Sequence, residues 1–289
     1  MKKIIISALA LCLLAGGLFA PAVKASTVAQ TTTQWDSDAA LKRVNTIGQK
    51  LMKASNLPEG IAFKVSPEDH VNAYANLNRE VYVYKGLLEY VSDDNELAAV
   101  IAHELGHIIN GHCAKQTVVN TAIAAIGNKV KTETAVGATS LAVAQNLAST
   151  KLSRSDEFEA DLTGADLLAK AGYNPLSAVS VLNKICGNYF DILQTHPSGE
   201  KRLMNIYDYV DYNYNKYTKI GYNSESYKAA SSMISAHAAK RQASEAKMKK
   251  FKKSQEKLKA KKAKREAKMV KKGLNPWETS VGVLQLFAQ

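Results

Sequence analysis

The chain has 289 residues, 46% of them hydrophobic and 22% charged, which is enough apolar material for one sizeable core and is unlike a disordered composition. Its formal net charge of +12 is local: residues 240–272 carry 16 Lys or Arg against 3 Glu, a run of +13, so everything else nets −1. The body is neutral and the tail is the polycation, a distribution that fits an anionic surface better than nucleic acid, and no nucleic-acid partner is expected.

Residues 1–25 read as a signal peptide: Lys2 and Lys3, an apolar run from Ile4 to Ala20, then Val23-Lys24-Ala25 as a processing site with cleavage after Ala25. Leu11 before Cys12 is the wrong residue for a lipid-attachment site. Leu41, Val44, Ile47, Leu51 and Met52 recur at helical spacing behind Asp36 and Ser37, which predicts an amphipathic helix. "GIAFKVS" and "REVYVYKG" predict strands, the second alternating Val81 and Val83 with Tyr82 and Tyr84, and Glu80–Tyr84 is read as an edge strand. Asp93, with Glu96 three residues on, opens a helix from about Asn95 through His107. The apolar runs between 117 and 149 are each too short to span a bilayer. "SDEFEADLTGADLLAKAG" predicts a helix capped by Ser155 and closed by Gly172, and "NPLSAVSVLNKICG" another, opened by Pro175. Seven tyrosines follow in "YDYVDYNYNKYTKIGYNSESY" without a sustained period, and 211–227 is read as a linker. Residues 228–273 form a basic Lys/Ala-rich helix with a thin seam of Met248, Phe251, Leu258 and Met269, and 274–289 form an apolar C-terminal segment. Cys113 and Cys186 are the two cysteines beyond the signal segment, and spacing does not decide whether they pair.

Chemistry concentrates in "AAVIAHELGHIINGHC", where His103, Glu104 and His107 interrupt an apolar helix. Burying three polar groups together asks for a common partner. Positions four apart share a helix face, so His103 and His107 aim at one point, as a tetrahedral zinc ion requires, while Glu104 sits one step round, where a general base for water belongs. Glu157 and Asp161, also four apart, offer one carboxylate for the metal and one to hold a ligand histidine's second ring nitrogen. His112, nine residues from His103, lies about 900° round a regular helix and is read as structural, pointing away from the ligand face. Glu159 and Asp156 are left off the metal, Asp156 belonging to the helix's acidic first turn. His70 and His237 belong to no constellation.

HELGH, EFEAD and THPSGEKR, in that order, resemble the gluzincin metalloendopeptidases that include the type I CAAX prenyl proteases, HtpX and the BepA-like and Oma-like enzymes, over about residues 36–210. The resemblance implies a mainly helical α+β metallopeptidase domain with a small sheet, at 26–210. It implies that His103, His107 and Glu157 bind one Zn2+, that Glu104 is the base, that Asp161 orients a ligand, and that His196 and Arg202 line the cleft near the developing oxyanion. A loop also allows His196 to sit on the metal as a fourth ligand. The expected protein is an exported zinc endopeptidase of the periplasm or cell envelope, cleaving unfolded or misassembled envelope proteins. Its tail would rest on an anionic membrane or cell-wall surface. The alternative is a non-catalytic zinc-containing chaperone or scaffold, with protein partners in place of substrates.

Overall fold

The computed structural model describes residues 35–57, 59–113, 115, 153–186, 196 and 199–271. The signal segment, the apolar runs of 117–149 and the segment 274–289 lie outside the described residues. The chain is an α+β protein, mainly helical, with one three-stranded sheet. Helix α1 (Ser37–Ala54) starts where the Asp36 carboxylate accepts hydrogen bonds from the N–H groups of Asp38 and Ala39 at 3.0 and 2.9 Å. It buries Val44, Ile47, Leu51 and Met52, the stripe its spacing prescribes.

Strands β1 (Ala62–Ser66), β2 (Ala73–Ala75) and β3 (Glu80–Tyr84) pair in the order β1-β3-β2, β3 running parallel to β1 and antiparallel to β2. Strand β3 is therefore central, not the expected edge. The reason is β2: three residues, too short to register as a strand, turn back through Asn76–Arg79, with Arg79 at φ +60°, and cover one side of β3. Val81 and Val83 are fully buried, while Tyr82 faces outward and stacks on Tyr74 at 4.9 Å between ring centres. Of the two edges, β1 lies against α1 and β2 against the metal-motif helix.

Helices α2 (Lys85–Tyr90) and α3 (Asp94–Ile109) follow, and α4 (Arg154–Lys170) crosses α3. The crossing is close because each helix meets the other with a glycine. A Cβ on Gly106 would stand 2.7 Å from the Ala160 carbonyl oxygen, and one on Gly164 would stand 3.2 Å from the backbone of Ala102 and His103. Backbone against backbone is what brings the acidic residues of α4 onto the histidines of α3.

A second core lies on the other side of α4, built by α5 (Ser177–Cys186), α6 (Glu200–Asn213), α7 (Asn215–Ile220), α8 (Glu225–Gln242) and α9 (Glu245–Lys271). Two expectations are corrected here. The segment read as a linker is helical, and Tyr214, Tyr217, Tyr222 and Tyr227 pack on a cluster of Leu176, Val179, Leu203, Ile206 and Val210. Several of these rings reach carboxylates: Tyr214 Oη donates to Asp166 at 2.7 Å and Tyr222 Oη to Asp93 at 2.7 Å. The basic segment is two helices, broken after Gln242 and restarted where the Ser244 hydroxyl accepts from the Lys247 N–H at 3.3 Å. It is anchored rather than detached. Ala230 and Ile234 are buried in the second core, Gln255 is buried, and Leu258 packs on that core. Buried Arg241 pairs with Asp208 and Asp211 and lies over the ring of Phe251. Among the described residues, no helix is long and apolar enough to cross a membrane.

Candidate functional site

Helix α3 is capped by Asp93, whose carboxylate accepts from the N–H groups of Asn95 and Glu96 at 2.9 Å each, while Glu96 accepts from the Ser92 N–H at 2.8 Å. The helix is almost wholly buried, so its polar residues need partners inside the protein. His103 and His107 meet with Nε2 atoms 3.0 Å apart. Helix α4 supplies the carboxylates. Its N-cap is Ser153 rather than Ser155, because Ser153 and Asp156 cap each other reciprocally, the hydroxyl accepting from the Asp156 N–H at 3.1 Å. From that start Glu157 faces the two histidines, with Oε2 at 3.4 Å from His103 Nε2 and Oε1 at 3.4 Å from His107 Nε2. Asp161, one turn on, meets His103 Nδ1 at 3.0 Å.

His196 enters from its loop with Nδ1 3.1 Å from Glu157 Oε1 and 3.3 Å from His103 Nε2. Donor atoms of His103, His107, Glu157 and His196 all lie within 4.8 Å of one another. On the other ring nitrogen, His196 Nε2 stands 3.6 Å from Glu104 Oε1. Glu104 is 1% exposed, and among the described residues neither of its carboxylate oxygens has a hydrogen-bond partner. A buried carboxylate in that condition is costly unless positive charge stands nearby. The cleft beside it holds about 60 Å³ and has an apolar wall of Ala99, Val100, Val181, Leu182 and Ile185.

Arg202 lines the same cleft. It donates from Nε to Asp161 Oδ2 at 2.8 Å and from Nη2 to Asp161 Oδ1 at 2.7 Å, and Nη1 stands 2.7 Å from Glu157 Oε2. A fork held on two carboxylates positions them.

This donor set fits a metal ion. In the tautomers with ring hydrogens on Nδ1, toward Asp161 and His112, His103 and His107 turn both Nε2 lone pairs to one point with the atoms 3.0 Å apart, a pair that a cation between them would satisfy. A proton can serve. Burial opposes charge on both rings, yet on His103 the hydrogen bonds with Asp161 and Glu157 prevail and raise the pKa to about 10. On His107 burial prevails, aided by the neighbouring charge of His103 and His196, and lowers it to about 3. Burial also works against ionisation of Glu157, but its three histidine contacts hold the carboxyl well below the usual range. Asp161 is likewise held low, burial being outweighed by Arg202 and His103.

One residue of the site was misread from sequence. Helix α3 ends at Ile109 with Asn110 as its C-cap, and Gly111, at φ +69°, turns the chain back, so the 900° rotation expected for His112 never accumulates. His112 is 2% exposed and its Nδ1 meets His107 Nδ1 at 2.9 Å. The glycine one residue ahead of it was the signal. Glu159 stays off the ligand cluster, with Oε2 3.5 Å from His112 Nε2 and Oε1 3.3 Å from Lys261 of α9. Asp156 pairs with Lys115 at 2.8 Å. His237 pairs with Asp208 at 2.9 Å, far from any ligand role, and His70 is exposed beside Glu68. Cys113 and Cys186 are not bonded to each other, and Cys113 Sγ donates to the Ala75 carbonyl at 3.5 Å.

The profile of peptidase family M48 matches residues 38–210, more than half of the chain and the whole of the site. Mitochondrial metalloendopeptidase OMA1 of Arabidopsis thaliana is 35% identical over 159 residues, 53% of this chain and 33% of that protein. Metalloprotease LoiP of Escherichia coli is 32% identical over 181 residues, 58% of this chain and 69% of LoiP. The β-barrel assembly-enhancing protease of E. coli is 27% identical over 178 residues, 55% of this chain and 37% of that protein. The chain thus spans about a third of two of these relatives and about two thirds of the third.

Proposed function

The chain belongs to peptidase family M48, and from that premise we propose that it is an exported zinc endopeptidase of the cell envelope that cuts unfolded or misassembled proteins. The observation that carries the reading is the juxtaposition of four donor atoms within 4.8 Å with a buried, unpartnered Glu104 beside them. His103, His107 and Glu157 would hold the ion, with His196 within reach as a fourth donor. Zinc, when bound, would supply a Lewis acid that polarises the scissile carbonyl and acidifies water. Glu104 accepts the proton of the attacking water on a carboxylate oxygen and delivers it to the leaving amine nitrogen. Asp161 accepts the Nδ1–H of His103 and keeps that ring's Nε2 toward the cluster. Arg202 fixes Asp161 and Glu157 together. His196 Nε2–H, on the Glu104 side, is the donor suited to the oxyanion once a substrate carbonyl occupies the cleft.

Two features support an extended, apolar substrate. Edge strand β2, beside α3, can pair with an extended peptide, and the apolar wall of the cleft suits a hydrophobic side chain next to the cut bond. Unfolded proteins offer both. Export rests on the sequence of residues 1–25.

The tail's partner would be an anionic membrane or wall surface. Helix α9 turns Met248, Phe251 and Leu258 inward and leaves Lys247, Lys249, Lys250, Lys252, Lys253, Lys257, Lys259 and Lys264 exposed, so its outer face offers charge without an apolar stripe to insert. Because α8 and α9 complete the second core, charge neutralisation tests this better than truncation. Lysine-to-glutamine changes at four of these positions should weaken binding to anionic vesicles as ~0.5 M salt does.

The test of the enzyme itself is cleavage of an unfolded protein by the purified full chain, stopped by a chelator and restored by zinc. A chain that binds zinc yet leaves every unfolded protein intact would favour the scaffold reading.

A further inference from the structure

Of the two proposed histidine ligands, His103 has its outward nitrogen on a carboxylate, and His107 has its own on another histidine. We infer that His112 is the positioning residue of His107, holding that ring in the tautomer that presents Nε2 to the metal; this rests on the zinc reading above.

His107 Nε2 points into the ligand cluster, 3.4 Å from Glu157 Oε1 and 3.0 Å from His103 Nε2, so a neutral His107 that ligates there carries its proton on Nδ1. Among the described residues that proton's neighbour is His112 Nδ1 at 2.9 Å, which must then accept. An imidazole that accepts on Nδ1 carries its own hydrogen on Nε2, and His112 Nε2 faces two carboxylates: Glu159 Oε2 at 3.5 Å and Asp156 Oδ1 at 3.7 Å. The two carboxylates therefore favour the one tautomer of His112 that can receive the His107 hydrogen. Each is itself held, Asp156 by Lys115 at 2.8 Å and by the Ser153 cap, Glu159 by Lys261 of the C-terminal helix at 3.3 Å.

Burial decides where the effect resides. His107 and His112 are 1% and 2% exposed, so loss of the acceptor would leave a buried N–H without a partner. The Lys261 side chain is 71% exposed, so its ion pair with Glu159 adds little. The ring of His112 carries the effect, and the tail trims it.

The experiment uses the full chain with Zn2+ alone as probe, affinity being measured by competition against a chelator, and with Co2+ for its visible spectrum. His112→Ala should weaken zinc binding about ten- to a hundredfold, the range for groups behind metal ligands, and should alter the Co2+ bands. His112→Asn places an amide oxygen where Nδ1 stood and should recover most of the affinity. The metal-free forms of the two variants should unfold alike. Unchanged affinity in His112→Ala would overturn the inference, and so would equal losses in the alanine and asparagine variants, since shape and not the acceptor would then matter. If the wild-type chain itself binds no zinc, the zinc reading falls and this inference with it.

Discussion

Two of the places where the molecule buries charge treat it in opposite ways. In the C-terminal layer the charges are matched: Arg241 lies between Asp208 and Asp211 with only Nε lacking a hydrogen bond, and Asp166 accepts from Tyr209 and Tyr214 and pairs with Lys262. At the α3–α4 crossing they are left with capacity to spare. Among the described residues Glu104 accepts no hydrogen bond, His196 Nε2 standing 3.6 Å away, and four donor atoms crowd one point. Matched burial fixes a helix in place, whereas unmatched burial marks a site where another species is expected to complete the set.

The largest effect should come from breaking the matched region. Arg241→Ala leaves two carboxylates facing an emptied space and should lower stability by about 3–5 kcal/mol in denaturant unfolding, while zinc content of the folded protein stays at wild type. Loss of zinc with intact stability would erase the contrast between the regions. His196→Ala should do the reverse: turnover at saturating substrate falls about ten- to a thousandfold, zinc remains, and the unfolding midpoint barely moves. Gly106→Ala tests the crossing that creates the unmatched site. Its methyl would press on the Ala160 carbonyl, so about 1–3 kcal/mol of stability should be lost together with zinc affinity, read from one titration and one unfolding curve. The smallest effect is expected at Lys261→Ala, within about 1 kcal/mol of stability, because that pair is exposed.

The two regions also differ in how well sequence reveals them. His103, Glu104, His107, Glu157 and Asp161 announce themselves because each pair lies on one helix at a spacing of four or less, and helical geometry is regular over such distances. The structure brings together the five residues that spacing groups into two. What failed were inferences carried past an element's end. His112 escapes a rotation count because α3 stops at Ile109, and α4 starts from Ser153, not Ser155, because the cap there is reciprocal with Asp156, three residues on. The β3 edge assignment failed because three residues, Ala73–Ala75, are too few to show a period. The tyrosine segment was mistaken for a linker for a different reason. Its rings are amphipathic and bury their bodies while their hydroxyls reach carboxylates distant in sequence, as Tyr222 reaches Asp93, so polar spacing hides a core. Gly106 and Gly164 stand in plain view within "HELGH" and "DLTGAD", yet their meaning exists only once the two helices cross.

Whether Glu104 is the base for a water molecule beside a bound metal is read from Glu104→Gln in the full chain, with zinc content and cleavage of an unfolded protein measured on the same sample. The change keeps the shape and removes the basic oxygen. Zinc should remain bound at the wild-type ratio, the unfolding midpoint should hold or rise, and turnover should fall by about a hundred- to ten-thousandfold. Zinc retained with turnover near wild type would contradict the account.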